Sequence, residues 1–188
     1  MKNLELRMYG FVPYQLMGIQ SGIQFGHAVI EYSRMVLDMP GLEEQYNEWA
    51  DKWKTFIVLN GGNTNDSEDY KGTMQLHRDA LKENSIPYAE FRELDLGNQL
   101  LGVCFLCDER VFNYKKYPDY KFIFSDKKTA KAFKEENINV TDFNNIKWFL
   151  LEHNEDFVLN NYMNWVEQIG GNKNLFLRGF TKNFKLAT

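Results

Sequence analysis

The stretch GIQSGIQFGHAVIEYSRMVLD, residues 18–38, is the one from which the rest of the 188-residue chain can be read. Wound at 100° per residue, Gln20, Gln24, His27 and Glu31 fall within one stripe roughly 60° wide. Ile19, Ile23, Phe25, Val29, Ile30, Tyr32, Val36 and Leu37 cover the far half of the same helix. Gly22 and Gly26 lie on that apolar side, four residues apart. Glycine inside a helix costs about 1 kcal/mol against alanine, so the pair is expected to admit a closely packed backbone. The expectation is a helix pressed onto a core, showing one outward line of amide, imidazole and carboxylate. The same spacing describes an ordinary amphipathic helix with a solvated face.

Outward from this helix, strands and helices alternate. LELRMYGFV (residues 4–12) reads as a first strand, and Met39-Pro40-Gly41 stops the organising helix. A second helix over 41–53 carries acidic Glu43, Glu44, Glu48 and Asp51, with Tyr46, Trp49 and Trp53 as an aromatic stripe for the core or an oligomer contact. Residues 55–59 are a short buried strand. Gly61-Gly62-Asn63 is a loop without the lysine and hydroxyl of a phosphate-binding loop. A third helix over 67–83 places Tyr70, Met74, His77 and Leu81 on one face, which makes His77 a core histidine. A strand over 88–94, a turn over 95–99 and a strand over 100–107 close the pattern as a hairpin. The fold class is therefore α/β, with a four-stranded mixed sheet flanked by helices.

Three of these segments carry a resemblance. GIQSGIQFGHA is similar to the signature of the type 2 peptidyl-tRNA hydrolase family, roughly G-K-x-A-A-Q-x-x-H-A after a first strand. Gln24, His27 and Ala28 match its glutamine, histidine and alanine. EQYNEWADKWKTFIVLN (44–60) resembles the family's Trp-containing helix and following strand, and NSIPYAEFRELDLGNQLLGVCFL (84–106) resembles its closing hairpin. Asp95 takes the place of the hairpin's aspartate. The resemblance covers about residues 4–107 and implies a three-layer α/β fold. It also implies a hydrolase of the ester in peptidyl-tRNA or a related aminoacyl ester. Gln20, His27 and Asp95 would be its catalytic residues, and Gln24, Glu31 and Asn98 its substrate-binding ones. No cofactor and no metal are implied.

Two departures bear on the chemistry. The family's lysine is Gln20 here, and its threonine is Leu101. Glutamine donates a hydrogen bond but brings no charge to a developing oxyanion, and leucine brings no hydroxyl. Glutamine at that place, with an E-x-D segment like Glu93-Leu94-Asp95, is similar to virus-encoded members. The expected function is thus a divergent member that binds RNA, a nucleotide or a protein partner in the old active-site cleft. Active hydrolysis is the alternative.

Composition bounds the rest. The chain has 22 Lys and Arg against 26 Asp and Glu, for a net charge of −4, which argues against extensive nucleic-acid contact and against DNA. A local contact with a tRNA acceptor end or other RNA stays open. No apolar run is long enough to span a bilayer and the N-terminus lacks a signal-peptide stretch, so the expectation is a cytoplasmic protein without membrane contact. Cys104 and Cys107 sit on a strand, where spacing by three turns them to opposite faces as two buried thiols.

After residue 108 the texture changes. An α/β domain over 1–110 is followed by a mostly helical extension over 111–188. NYKKYPDYKF (113–122) interleaves lysines with aromatics, as RNA-stacking segments and tucked-down surface loops both do. Helices are expected over 127–136, 143–151 and 157–169. The aromatics of 157–184 call for a partner surface, either the sheet domain or a second subunit in a homodimer.

Overall fold

The computed structural model describes residues 4–16, 18–67 and 69–187. They fall into two compact units. One runs through Glu109 and takes in the C-terminal segment from Asn183; the other is Arg110–Lys182. Among the described residues no helix is long and apolar enough to cross a membrane.

The first unit is α/β. Its order is β1 (Leu6–Val12), α1 (Ile19–Val36), α2 (Pro40–Glu48) with a π-helical turn Trp49–Trp53, β2 (Thr55–Asn60), α3 (Thr73–Glu83), β3 (Ala89–Glu93), a 3₁₀ turn Leu94–Leu96, and β4 (Gln99–Asp108). The strands lie in the order β2-β1-β4-β3. β1 is parallel to β2, and β4 is antiparallel to both β1 and β3. The sheet is mixed, as the alternation of strands and helices predicts, because parallel β1 and β2 need a long crossover while β3 and β4 need only a turn.

Side-chain alternation assigns the two faces. Met8, Ala89 and Cys104 join Phe25, Ala28, Tyr32, Val36 and Trp49 in one core cluster. Phe11, of opposite parity on β1, meets His77 of α3 with ring centroids 5.5 Å apart and Phe184 at 5.9 Å. Burial between these rings lowers the His77 pKa. Cys104 and Cys107 are free and buried, and burial pushes both thiols up.

The seating of α1 differs from the expectation. Ile19, Ile23, Ile30 and Leu37, expected inside, are exposed. The buried stripe is Ser21, Phe25, Ala28, Tyr32 and Val36. A Cβ on Gly22 or Gly26 would meet nothing within 4 Å, so the helix glycines serve no close approach within the unit. The close approach is made by a sheet glycine instead. A Cβ on Gly102 would lie 2.7 Å from the Gln24 carbonyl oxygen and 3.2 Å from Ala28 Cβ. The Cys104 thiol donates to the Ala28 carbonyl at 3.2 Å on the next turn. The apolar arc of α1 is wider than one contact, and the helix is rolled so that small Ala28 meets the sheet.

Helix α3 starts at Thr73 rather than at 67. Residues 61–67 and 69–72 form a loop: the Thr73 hydroxyl donates to the Gly61 carbonyl at 2.8 Å, and buried Gln75 donates to the Thr64 hydroxyl at 2.9 Å. Tyr70 consequently leaves the helical stripe and is exposed. At the far side of the sheet, the amide of Asn60 donates to Lys185 and that of Ala187 to Val58, both at 2.9 Å. The C-terminal segment thereby covers the open edge of β2, a feature with no signal in residue periodicity.

The second unit is helical after the short α4 (Glu109–Phe112): α5 (Lys127–Glu135), α6 (Phe143–Glu152), α7 (Asp156–Gln168) and α8 (Asn172–Lys182). Asp126 caps α5 by accepting from the amides of Lys128 and Thr129, and Asp142 caps α6. Of the aromatics expected to need a surface, Phe184 packs on Phe11 and His77 in the first unit, Phe157 is exposed, and Tyr162 and Trp165 pack inside this unit. Tyr120 and Phe122, interleaved with lysines in the sequence, pack on Tyr162 at 5.4 and 5.3 Å. Arg178, 1% exposed, donates to the carbonyls of Arg110 and Tyr117 and to Asp119, and its guanidinium lies over the Tyr114 ring.

Candidate functional site

The polar stripe of α1 lies along β3, the edge strand opposite β2. Ala89, Phe91 and Glu93 alternate toward the α1 face, since Ala89 pairs with Cys104 and Phe91 with Gly102, both under α1. Two contacts result. The exposed His27 ring stacks on Phe91 at 4.5 Å and 21°. Gln24 Nε2 donates to Glu93 Oε2 at 3.4 Å, a long bond. The other amide atom, Gln24 Oε1, is buried and has no hydrogen-bond partner among the described residues.

The remaining stripe residues are less engaged. Gln20 is exposed on the first turn of α1. Glu31 faces Arg34 at 3.9 Å, at the limit of an ion pair. Asp95 is exposed in the 3₁₀ turn after β3 and makes no side-chain hydrogen bond or ion pair among the described residues. Asn98 is exposed in a left-handed conformation at φ 61°, and its carbonyl accepts from Arg92 at 3.1 Å. The structure thus joins Gln24 to Glu93 and His27 to Phe91. It makes no hydrogen bond from Asp95 to Gln20, Gln24 or His27.

Leu101 stands elsewhere. The register shifts between Phe91 and Arg92, whose partners on β4 are Gly102 and Leu100. Leu101 is the extra residue of this β-bulge. Alternation from Gly102 and Cys104 turns it away from α1, and it is buried in the core at 3% exposure.

The electrostatics of the edge are one-sided. Glu31, Glu93 and Asp95 bring carboxylates. Within α1 and the β3–β4 hairpin the cations are Arg34 and Arg92. Arg34 faces Glu31, and Arg92 is paired with Asp66 at 2.8 Å and Glu90 at 2.9 Å. Among the described residues no group of three or more His, Cys, Asp or Glu is disposed to hold a metal ion. What the edge offers is hydrogen-bond acceptors, one aromatic pair and negative charge.

Phe91 and Glu93 are the members that motif reading did not single out as site residues. Period-two alternation across 89–93 was the available signal, since it puts both on the helix-bearing face. No protein-family model matches the chain, and no curated protein is significantly similar to it.

Proposed function

We propose that the α1–β3 edge is a recognition site without hydrolytic activity, on a domain of the three-layer type 2 peptidyl-tRNA hydrolase kind. Its ligand is a segment of a protein partner that presents N–H donors. The observation that carries this reading is Gln24 Oε1, a buried acceptor with no donor among the described residues. Leaving such a group unsatisfied costs about 1–3 kcal/mol, so it fits a place where an incoming donor completes the bond. Glu93 beside it and Asp95 two residues on favour an amide or ammonium donor. A phosphate would meet carboxylates and no unpaired cation, which disfavours RNA and nucleotides. Exposed Leu94 and Leu96 supply apolar contact for a peptide. Gln20 brings no charge to an oxyanion, and Leu101 is committed to the core.

Ester hydrolysis is the second reading. The feature favouring it is Asp95, whose exposed carboxylate is uncommitted and resembles the family's water-orienting aspartate.

The reading is tested by nuclear magnetic resonance titration of the side-chain amide of Gln24 and the ring of His27. A short lysine-containing peptide amide is expected to shift both, and an RNA hairpin ending in CCA to shift neither. The reverse pattern would overturn the proposal.

A further inference from the structure

A second feature of α1 lies on its outward side and is independent of the recognition edge. Ile19, Ile23, Gly26, Ile30, Ser33 and Leu37 recur at alternating intervals of four and three residues, which is a heptad seam. Ile19 is 81% exposed, Leu37 63%, Ile30 56% and Ile23 49%. Four large aliphatic side chains on one bare stripe exceed the scattered exposure of a monomer's surface. Open space lies beside Gly22 and Gly26, so a second helix backbone can approach there.

The order of sizes along the seam identifies the occupant. Place two copies of α1 antiparallel, with a two-fold axis passing level with Ala28. Ile19 then meets Leu37, Ile23 meets Ser33, and Ile30 meets Gly26, each pair occurring twice by symmetry. A large side chain enters the space left by a small one in both central layers. Parallel pairing in register would stack Gly26 on Gly26 and Ser33 on Ser33, leaving voids that cost packing energy. Charge agrees with the antiparallel arrangement. Helix α1 begins at Gly18 with no side-chain cap and no acidic residue in its first turn. Asp38 of the second copy arrives at that end, where the positive end of the helix dipole favours a carboxylate.

We infer that the outer face of α1 packs against α1 of a second copy of this chain, antiparallel and two-fold symmetric. Sedimentation equilibrium of the full chain is expected to give a mass near twice the 22.2 kDa of one copy at tens of micromolar. Ile30→Asp is expected to raise the dissociation constant about thirtyfold or more, and Ile19→Asp, at the most exposed position, to weaken association without touching the fold. A mixture of Gly26→Cys and Ile30→Cys chains is expected to form a disulfide between unlike chains, with little between like ones. A monomer at every concentration would overturn the inference. So would a dimer indifferent to both aspartate variants, or like-chain cross-linking as efficient as unlike.

Discussion

Strand β3 shows two faces to two helices, and they are finished to different degrees. Toward α3, Glu90 and Arg92 belong to a chain of ion pairs that runs through Arg78, Asp79, Lys71 and Asp66, with five separations of 2.6–2.9 Å. Toward α1, Phe91 and Glu93 meet His27 and Gln24 through one ring stack and one bond of 3.4 Å, with the Gln24 carbonyl unsatisfied. A face whose charges are all answered holds the hairpin to the domain. A face left short of donors is disposed to receive them. The two differ by one residue of register on a single strand.

The comparison breaks most completely at Gly102. Gly102→Val would drive a side chain into the Gln24 carbonyl and lift α1 from the sheet. Overpacking of this kind costs about 3 kcal/mol, which chemical denaturation would read. It should also abolish the His27–Phe91 stack, visible in the chemical shifts of His27.

Arg92→Ala comes next. It removes the ion pairs with Asp66 and Glu90 and the bond to the Asn98 carbonyl. Exposed ion pairs contribute little singly, but this one ties a network, and the expected loss is about 1–2 kcal/mol. Glu93→Ala, on the other face of the same strand, should change stability by under about 0.5 kcal/mol. Equal losses would erase the distinction between the faces.

Acid should separate them too. The hydrogen bond from Arg92 holds the Asp66 carboxyl below its usual 3.8. Burial pushes Asp79 up, but Lys71 and Arg78 more than offset it, so that carboxyl is also depressed. A folded pKa below the unfolded one stabilises the protein above about pH 4–5, and that stability is lost as pH falls through the carboxylate range. Arg92→Ala is expected to flatten this acid limb in denaturation curves taken between pH 6 and 2.

Much of this arrangement can be read from residue order. The mixed sheet follows from helical crossovers between early strands and a short turn between the last two. The polar stripe follows from 3.6-residue periodicity. The roll of α1 does not, because apolar residues cover more than half its circumference and several faces satisfy the pattern equally. Gly102, a residue of the sheet, decides which face goes down. The bulge at Leu101 is hidden as well: two adjacent leucines fit either face, and only the pairing of Arg92 with Leu100 shows the shift. The joining of residues 185–187 to β2 depends on backbone bonds, which side-chain pattern does not encode.

The smallest effect on stability is expected at Gln24. Gln24→Leu deletes one long hydrogen bond together with one unsatisfied carbonyl, so the changes nearly cancel, within about 0.5 kcal/mol. Binding of the lysine-containing peptide should nevertheless weaken severalfold in the titration. If stability dropped sharply instead, the amide would be a structural member like Arg92.

The central claim is that this edge recognises and does not hydrolyse, and single-turnover incubation of the wild-type chain with N-acetyl-aminoacyl-tRNA tests it most directly. A single preorganised donor to an oxyanion is typically worth two to three powers of ten in rate, and Gln20 supplies no charged one. The account predicts ester loss at the spontaneous rate, unchanged by Asp95→Asn. Cleavage well above that rate, abolished by Asp95→Asn while the fold stays intact, would contradict it.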